Sequence, residues 1–144
     1  MAHLLRLSLT VLLGCLLMAC AGKPTQEMSD ARQMLQAATE AGAARFAPAY
    51  LARARRALEE AQEALELHAY GRARAKAEEA KRWASRAQAQ AAVFRKTEAA
   101  VRKAAQEGRL TPEVEALWQK AMQAAEEGRE EASSLARRIF EALQ

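Results

Sequence analysis

Between Gly71 and Glu107 alanine recurs at steps of four and three, with Ala73, Ala77, Ala80, Ala84, Ala87 and Ala91 on six successive positions of one stripe. Phe94, Glu98, Val101 and Ala105 continue the same phase. Only an α-helix brings positions so spaced onto one face. A stripe of methyl groups constrains the fold further. Helices meeting through alanine approach near the low end of the axial range of about 8–10 Å, and each contact buries little area. Such a chain gains stability from many close helix contacts and from alanine's helix propensity, not from a bulky core. β-Branched residues are scarce, Asn is absent and Asp occurs once, at Asp30, so the sequence predicts no sheet.

The periodicity extends to either side of that segment. Met28, Ala31, Leu35, Ala38 and Gly42 form a weaker stripe. With Ser29 as N-cap and Asp30 in the first turn, it predicts a first helix over 29–44. Pro48 suits the start of a second, where a missing N–H costs nothing. Leu51, Ala54, Leu58, Ala61 and Leu65 carry that helix to about Leu67, and His68-Ala69-Tyr70-Gly71 reads as a turn. The third helix spans about 71–107, with Gly108 as its C-terminal stop. Thr111-Pro112-Glu113 opens a fourth. Val114, Trp118, Ala121, Ala125, Gly128, Ala132, Leu135, Ile139 and Ala142 keep one phase through Gly128, which predicts a single helix to about Leu143. The expected fold is all-α: an elongated antiparallel bundle of about four helices, coiled-coil-like with alanine-rich seams. In it the last two helices project beyond the first two. Val93, Phe94, Val101, Leu110 and Val114 then cluster at an incompletely covered tip, the expected surface for a protein partner or for self-association.

Upstream of the helices, Leu7 to Ala19 is apolar but shorter than the ~20 residues that span a bilayer. Arg6 precedes it, and it ends in Leu17-Met18-Ala19-Cys20. This pattern resembles the lipobox of bacterial lipoprotein signals. The resemblance implies a cleaved signal peptide at 1–19, lipidation of Cys20, a tether at 20–28 and a helical domain at 29–144. Ala21, in place of the aspartate that retains lipoproteins at an inner membrane, favours the periplasmic face of an outer membrane. Cys15 leaves with the signal, so no disulfide is expected within the mature domain.

The remaining inventory offers little chemistry. His68 is the one histidine after Cys20, and no second His or Cys completes a transition-metal site. Glu59-Glu60, Glu78-Glu79, Glu126-Glu127 and Glu130-Glu131 are helical neighbours that point about 100° apart, so they do not converge as catalytic carboxylates. No glycine-rich phosphate loop or serine–histidine–acid motif is present. The expectation is no enzyme, no metal, no cofactor, no nucleic acid and no small-molecule substrate. Charge is placed unevenly. Residues 71–109 hold 11 Lys and Arg against 4 Glu, a balance of +7, and residues 110–144 hold 4 against 7, a balance of −3. Either these are solvated faces that attract each other, or the third helix carries a basic strip for an anionic envelope polymer or lipid. Trp118 lies in the seam of the last helix. Trp83 flanks the alanine stripe, either in the core or in an exposed patch.

Phe46-Ala47-Pro48-Ala49, then Leu51, Ala54, Leu58, Ala61 and Ala64, then Tyr70, Ala73, Ala77 and Ala80, resembles the envelope family catalogued as domain of unknown function 4398. The likeness runs over about 29–105. It departs at the turn, where the glycine follows the tyrosine instead of preceding it. The resemblance implies paired alanine-rich helices, frequent carriage on lipoproteins and no catalytic residues. With the lipobox, it leads to the expectation of a lipid-anchored, non-enzymatic structural or protein-interaction module of the cell envelope. Binding of an anionic polymer or lipid is the alternative.

Overall fold

The computed structural model describes residues 22–144. Cys20 and the signal segment 1–19 lie outside the described residues. The described chain forms α1 (Thr25–Glu40), a single turn α2 (Ala43–Phe46), α3 (Pro48–Glu66), α4 (Tyr70–Gln106), α5 (Pro112–Glu126) and α6 (Glu131–Ala142), with no strand among these residues. The 37 residues of α4 make a rod of about 55 Å.

Four of the other helices, α1, α2, α3 and α6, pack directly on α4. α1 runs parallel to it, since Glu27 pairs with Arg74 at 2.5 Å and Asp30 with Lys81 at 3.3 Å. α3 runs antiparallel, with Glu60 on Lys76 at 2.7 Å and Tyr50 stacked on Trp83 further along. α6 is parallel again: Ser133 reaches Gln90, and the Thr97 hydroxyl reaches the Ala136 carbonyl at 3.0 Å. α5 descends on the outer side of α6 and touches the α2–α3 entry. Two three-helix units thus share one rod, α1–α3–α4 near the N-terminus and α4–α5–α6 beyond it.

The alanine stripe explains the first unit. Ala73, Ala77, Ala80, Ala84, Ala87, Ala91 and Phe94 are all buried. Beyond Phe94 the buried stripe slips by one residue. Thr97 and Ala104 are inside, Glu98 is half-buried and Ala105 is exposed. The slip marks the point where α1 and α3 give way to α6, which lies against a different side of the rod. Thr97 follows because its hydroxyl can serve backbone carbonyls of both α4 and α6.

Three boundaries differ from the sequence reading. α1 begins at Thr25, not at Ser29, because Pro24 and Met28 are buried against the bundle and leave little of the segment free as a tether. α1 ends at Glu40, and Gly42 (φ +91) turns the chain into α2. The fourth helix is two helices. Gly128 (φ +70) closes α5: its N–H meets Ala125 O, and the Arg129 N–H meets Ala124 O. This six-to-one, five-to-two pairing terminates helices. A Cβ on Gly128 would lie 2.7 Å from the Ala49 Cβ. The apolar phase runs on through Gly128 because both helices bury the same face. Periodicity alone does not register a reversal between them.

The reversal also removes the expected tip. α6 returns alongside the upper part of α4, so that end is not a bare two-helix projection. Phe94 is fully buried. Val93, Val101 and Val114 are half-buried against the main core, and Leu110 is half-buried in the α4–α5 loop.

Candidate functional site

The two units join at a cluster of aromatic rings. Phe94 of α4 stacks on Phe46 of α2 at 5.9 Å between centroids and meets Trp118 of α5 at 5.6 Å. Phe46 precedes Ala47-Pro48, and proline has no N–H to donate. Beside the rings the Gln90 side-chain amide donates to the Phe46 carbonyl at 2.8 Å, and Ser133 Oγ donates to Gln90 Oε1 at 3.4 Å. A buried polar chain therefore links α6, α4 and α2.

On the outer side of this joint lies a groove with walls from α3, α4 and α6. Tyr50 lines it and stacks at 5.7 Å on Trp83, which lines a neighbouring cavity with Arg53, Arg56, Glu60 and Glu79; both rings are half-buried. The Arg53 and Arg86 guanidiniums lie 4.8 and 4.9 Å from the Trp83 ring centre. Arg53 is also 5.9 Å from the Tyr50 ring. Trp83 and Arg86 are three residues apart on one helix, as are Tyr50 and Arg53, a spacing that keeps such pairs in contact. Stacking on an indole limits a guanidinium's motion while leaving its N–H edges free. Arg137 of α6 joins Arg86, Tyr50, Gln90 and Ser133 around a cavity of about 270 Å³, where Glu130 is the one carboxylate. Arg53, Arg86 and Arg137 have no ion-pair partner among the described residues.

Other charges on α4 are paired in part. Lys76 sits between Glu60 and Glu79, and these hydrogen bonds, Glu60 first, hold its ammonium above the usual lysine range. The Lys76 bond in turn holds Glu79 below the usual carboxylate range. Glu27 is lowered by its own backbone N–H and then by Arg74. None of the ion pairs among the described residues joins α4 to α5 or α6. Cross-helix pairs run from α4 to α1, α2 and α3. The basic strip itself divides: Arg74, Lys76, Lys81, Arg102, Lys103 and Arg109 have carboxylate partners. Arg86 belongs to the group left without one.

A second, wider cleft of about 760 Å³ opens between the α2–α3 entry and α5, lined by Ala44, Pro48, Met122 and Gln123 among others. Its Arg45 is already paired with Glu98 at 2.6 Å. His68 lies in the left-handed region (φ +58) at the end of α3 and stacks on Tyr70 at 5.9 Å, a helix-terminal role. Among the described residues no three His, Cys, Asp or Glu side chains gather to hold a metal ion, and no helix is long and apolar enough to cross a membrane.

Of the residues expected at a partner surface, the groove is bordered by Val93 alone. Trp83, left open between core and patch, proves half-buried with its faces used by arginine. Tyr50, Arg53, Arg86, Gln90 and Arg137 were not singled out from sequence. The available signal was the i, i+3 spacing of Tyr50 with Arg53 and Trp83 with Arg86. Arg137 carried none, because its position depends on the reversal at Gly128.

A family model described as a domain of unknown function (DUF4398) matches residues 26–104. No curated protein matches the chain, and no solved structure does. The matched span covers α1 to α3 and nearly all of α4. The groove therefore combines residues of the matched span with Ser133 and Arg137 from the helices that follow it.

Proposed function

The chain belongs to the DUF4398 family, and we propose that it is a non-enzymatic binding module of the cell envelope, anchored through Cys20 at the periplasmic face of an outer membrane, whose groove holds an anionic envelope polymer. The observation that carries the binding role is the meeting of Arg86 of α4 and Arg137 of α6, neither with an ion-pair partner among the described residues, around one cavity beside Tyr50, with Arg86 held over the Trp83 ring. Uncompensated guanidiniums on a fixed platform favour an oxyanion, which each can bind through two parallel N–H bonds. The anchor rests on Leu17-Met18-Ala19-Cys20. Mass spectrometry of the mature N-terminus tests it: a diacylglyceryl adduct on Cys20 is expected, and a chain that retains Met1 contradicts it.

The second reading is a protein-interaction module, favoured by the wide cleft beside α5, whose Arg45 is already paired with Glu98. Crosslinking in intact membranes separates the two. Adducts through Met122 or Gln123 to another polypeptide support the protein partner, and adducts confined to the groove support the polymer.

A further inference from the structure

We infer that the turn between α3 and α4 is a second membrane contact, which seats the N-terminal end of the bundle on the bilayer; the inference rests on the lipid-anchor reading. Leu67, at the end of α3, is 76% exposed and is the one exposed large hydrophobic residue among those described. Exposed His68 and half-buried Tyr70 lie beside it, stacked at 5.9 Å. The same end of the molecule holds the first described residue. Arg74, one turn into α4, donates to the Gly22 carbonyl at 3.3 Å and pairs with Glu27 at 2.5 Å. Pro24 is buried and α1 begins at Thr25, so the bundle's packed structure starts almost at once.

These observations fix a distance. Cys20 precedes Gly22 by two residues, which span at most about 7 Å of chain. A lipid on Cys20 holds its sulfur at the bilayer surface. Gly22, and with it the Arg74 end of α4, is then confined to the same shallow layer. The Leu67–Gly71 turn faces the headgroup region and cannot stand clear of it. The side chains there suit that layer: an aliphatic group to bury, an amphipathic tyrosine, and the exposed cations Lys23 and Arg72 to meet anionic headgroups, against exposed Glu66. The far end of α4, at Gln106, stands about 50 Å away along the rod.

The test uses the lipidated chain reconstituted into phosphatidylethanolamine–phosphatidylglycerol vesicles, with a nitroxide on Leu67→Cys or, separately, on Gln106→Cys. Both positions are exposed, so neither label disturbs the core. The label at 67 should be more accessible to oxygen than to a water-soluble nickel complex, and the label at 106 should show the reverse. If both are equally open to nickel on a chain whose mass shows the Cys20 lipid, the membrane contact is overturned and the anchor stands. If the mass shows no lipid, the anchor reading fails and this inference fails with it.

Discussion

Gln90 shows how one polar side chain can order an alanine core. It is 4% exposed, yet its amide is satisfied by the Phe46 carbonyl at 2.8 Å, and its oxygen accepts from Ser133. Phe46 ends a four-residue helix before Ala47-Pro48, where regular backbone pairing is interrupted. Gln90→Leu keeps much of the volume but leaves a buried carbonyl without its donor. A loss of about 1–3 kcal/mol in chemical denaturation is expected, whereas Gln88→Leu, half-buried on the same helix, should change little. Nothing in the sequence marks Gln90. It stands beside seam residue Ala91, in a helix with two other glutamines, Gln88 and Gln106, and its role depends on where α2 stops. The ion pairs were equally hidden, although their pH behaviour follows directly. Glu27, Glu79 and Glu107 are all held below the usual carboxylate range, Glu27 chiefly by its backbone N–H, Glu79 by Lys76 and Glu107 by Arg109. A carboxylate with a depressed folded-state pKa stabilises at pH values above its unfolded pKa, near 4.3, and that contribution is lost as pH falls below it. Thermal midpoints should therefore fall in acid. Glu27→Gln with Glu79→Gln should flatten that dependence.

At the scale of elements, periodicity located the helices well and their connections poorly. The alanine stripe from Ala73 to Ala91 was legible because six like residues at one spacing leave a single consistent face. Pro48 and the Thr111-Pro112 pair were legible because each has a local mechanism, and the Thr111 hydroxyl does accept from the Val114 N–H. Gly128 was not, since its left-handed turn preserves the phase of the flanking residues. Its conformation makes a direct comparison with Gly108 possible. Both have positive φ and both close a helix by the same pair of backbone bonds. Nothing lies near a Cβ on Gly108, while one on Gly128 meets Ala49 at 2.7 Å. Gly108→Ala should cost about 1–2 kcal/mol from the left-handed conformation alone. Gly128→Ala should add about 1–3 kcal/mol of overpacking as the α5–α6 pair is pushed off α3. Equal losses in thermal or denaturant melts would refute the contact between Gly128 and α3.

For the whole molecule, the shared rod is the central feature. α4 carries an N-terminal three-helix unit, which lies within the family match, and a C-terminal one built with α5 and α6. Neither unit forms the groove alone: Tyr50 comes from α3, Arg86 and Gln90 from α4, and Ser133 and Arg137 from α6. The fold class was open to sequence reasoning, but the groove was not, because it is made where the chain reverses. The tip of Val93, Phe94, Val101, Leu110 and Val114 lost its basis for the same reason, as α6 occupies the flank that a straight fourth helix would have left bare. The most direct test is a salt-titrated binding isotherm of the mature domain with inorganic polyphosphate as the anionic probe. The account predicts binding that weakens as ionic strength rises. Arg86→Gln combined with Arg137→Gln should reduce affinity by at least about tenfold, the effect of losing charge-assisted hydrogen bonds, while Arg55→Gln on another face should leave it unchanged. Binding that is independent of salt, or that survives the double substitution, would contradict the assignment of the groove.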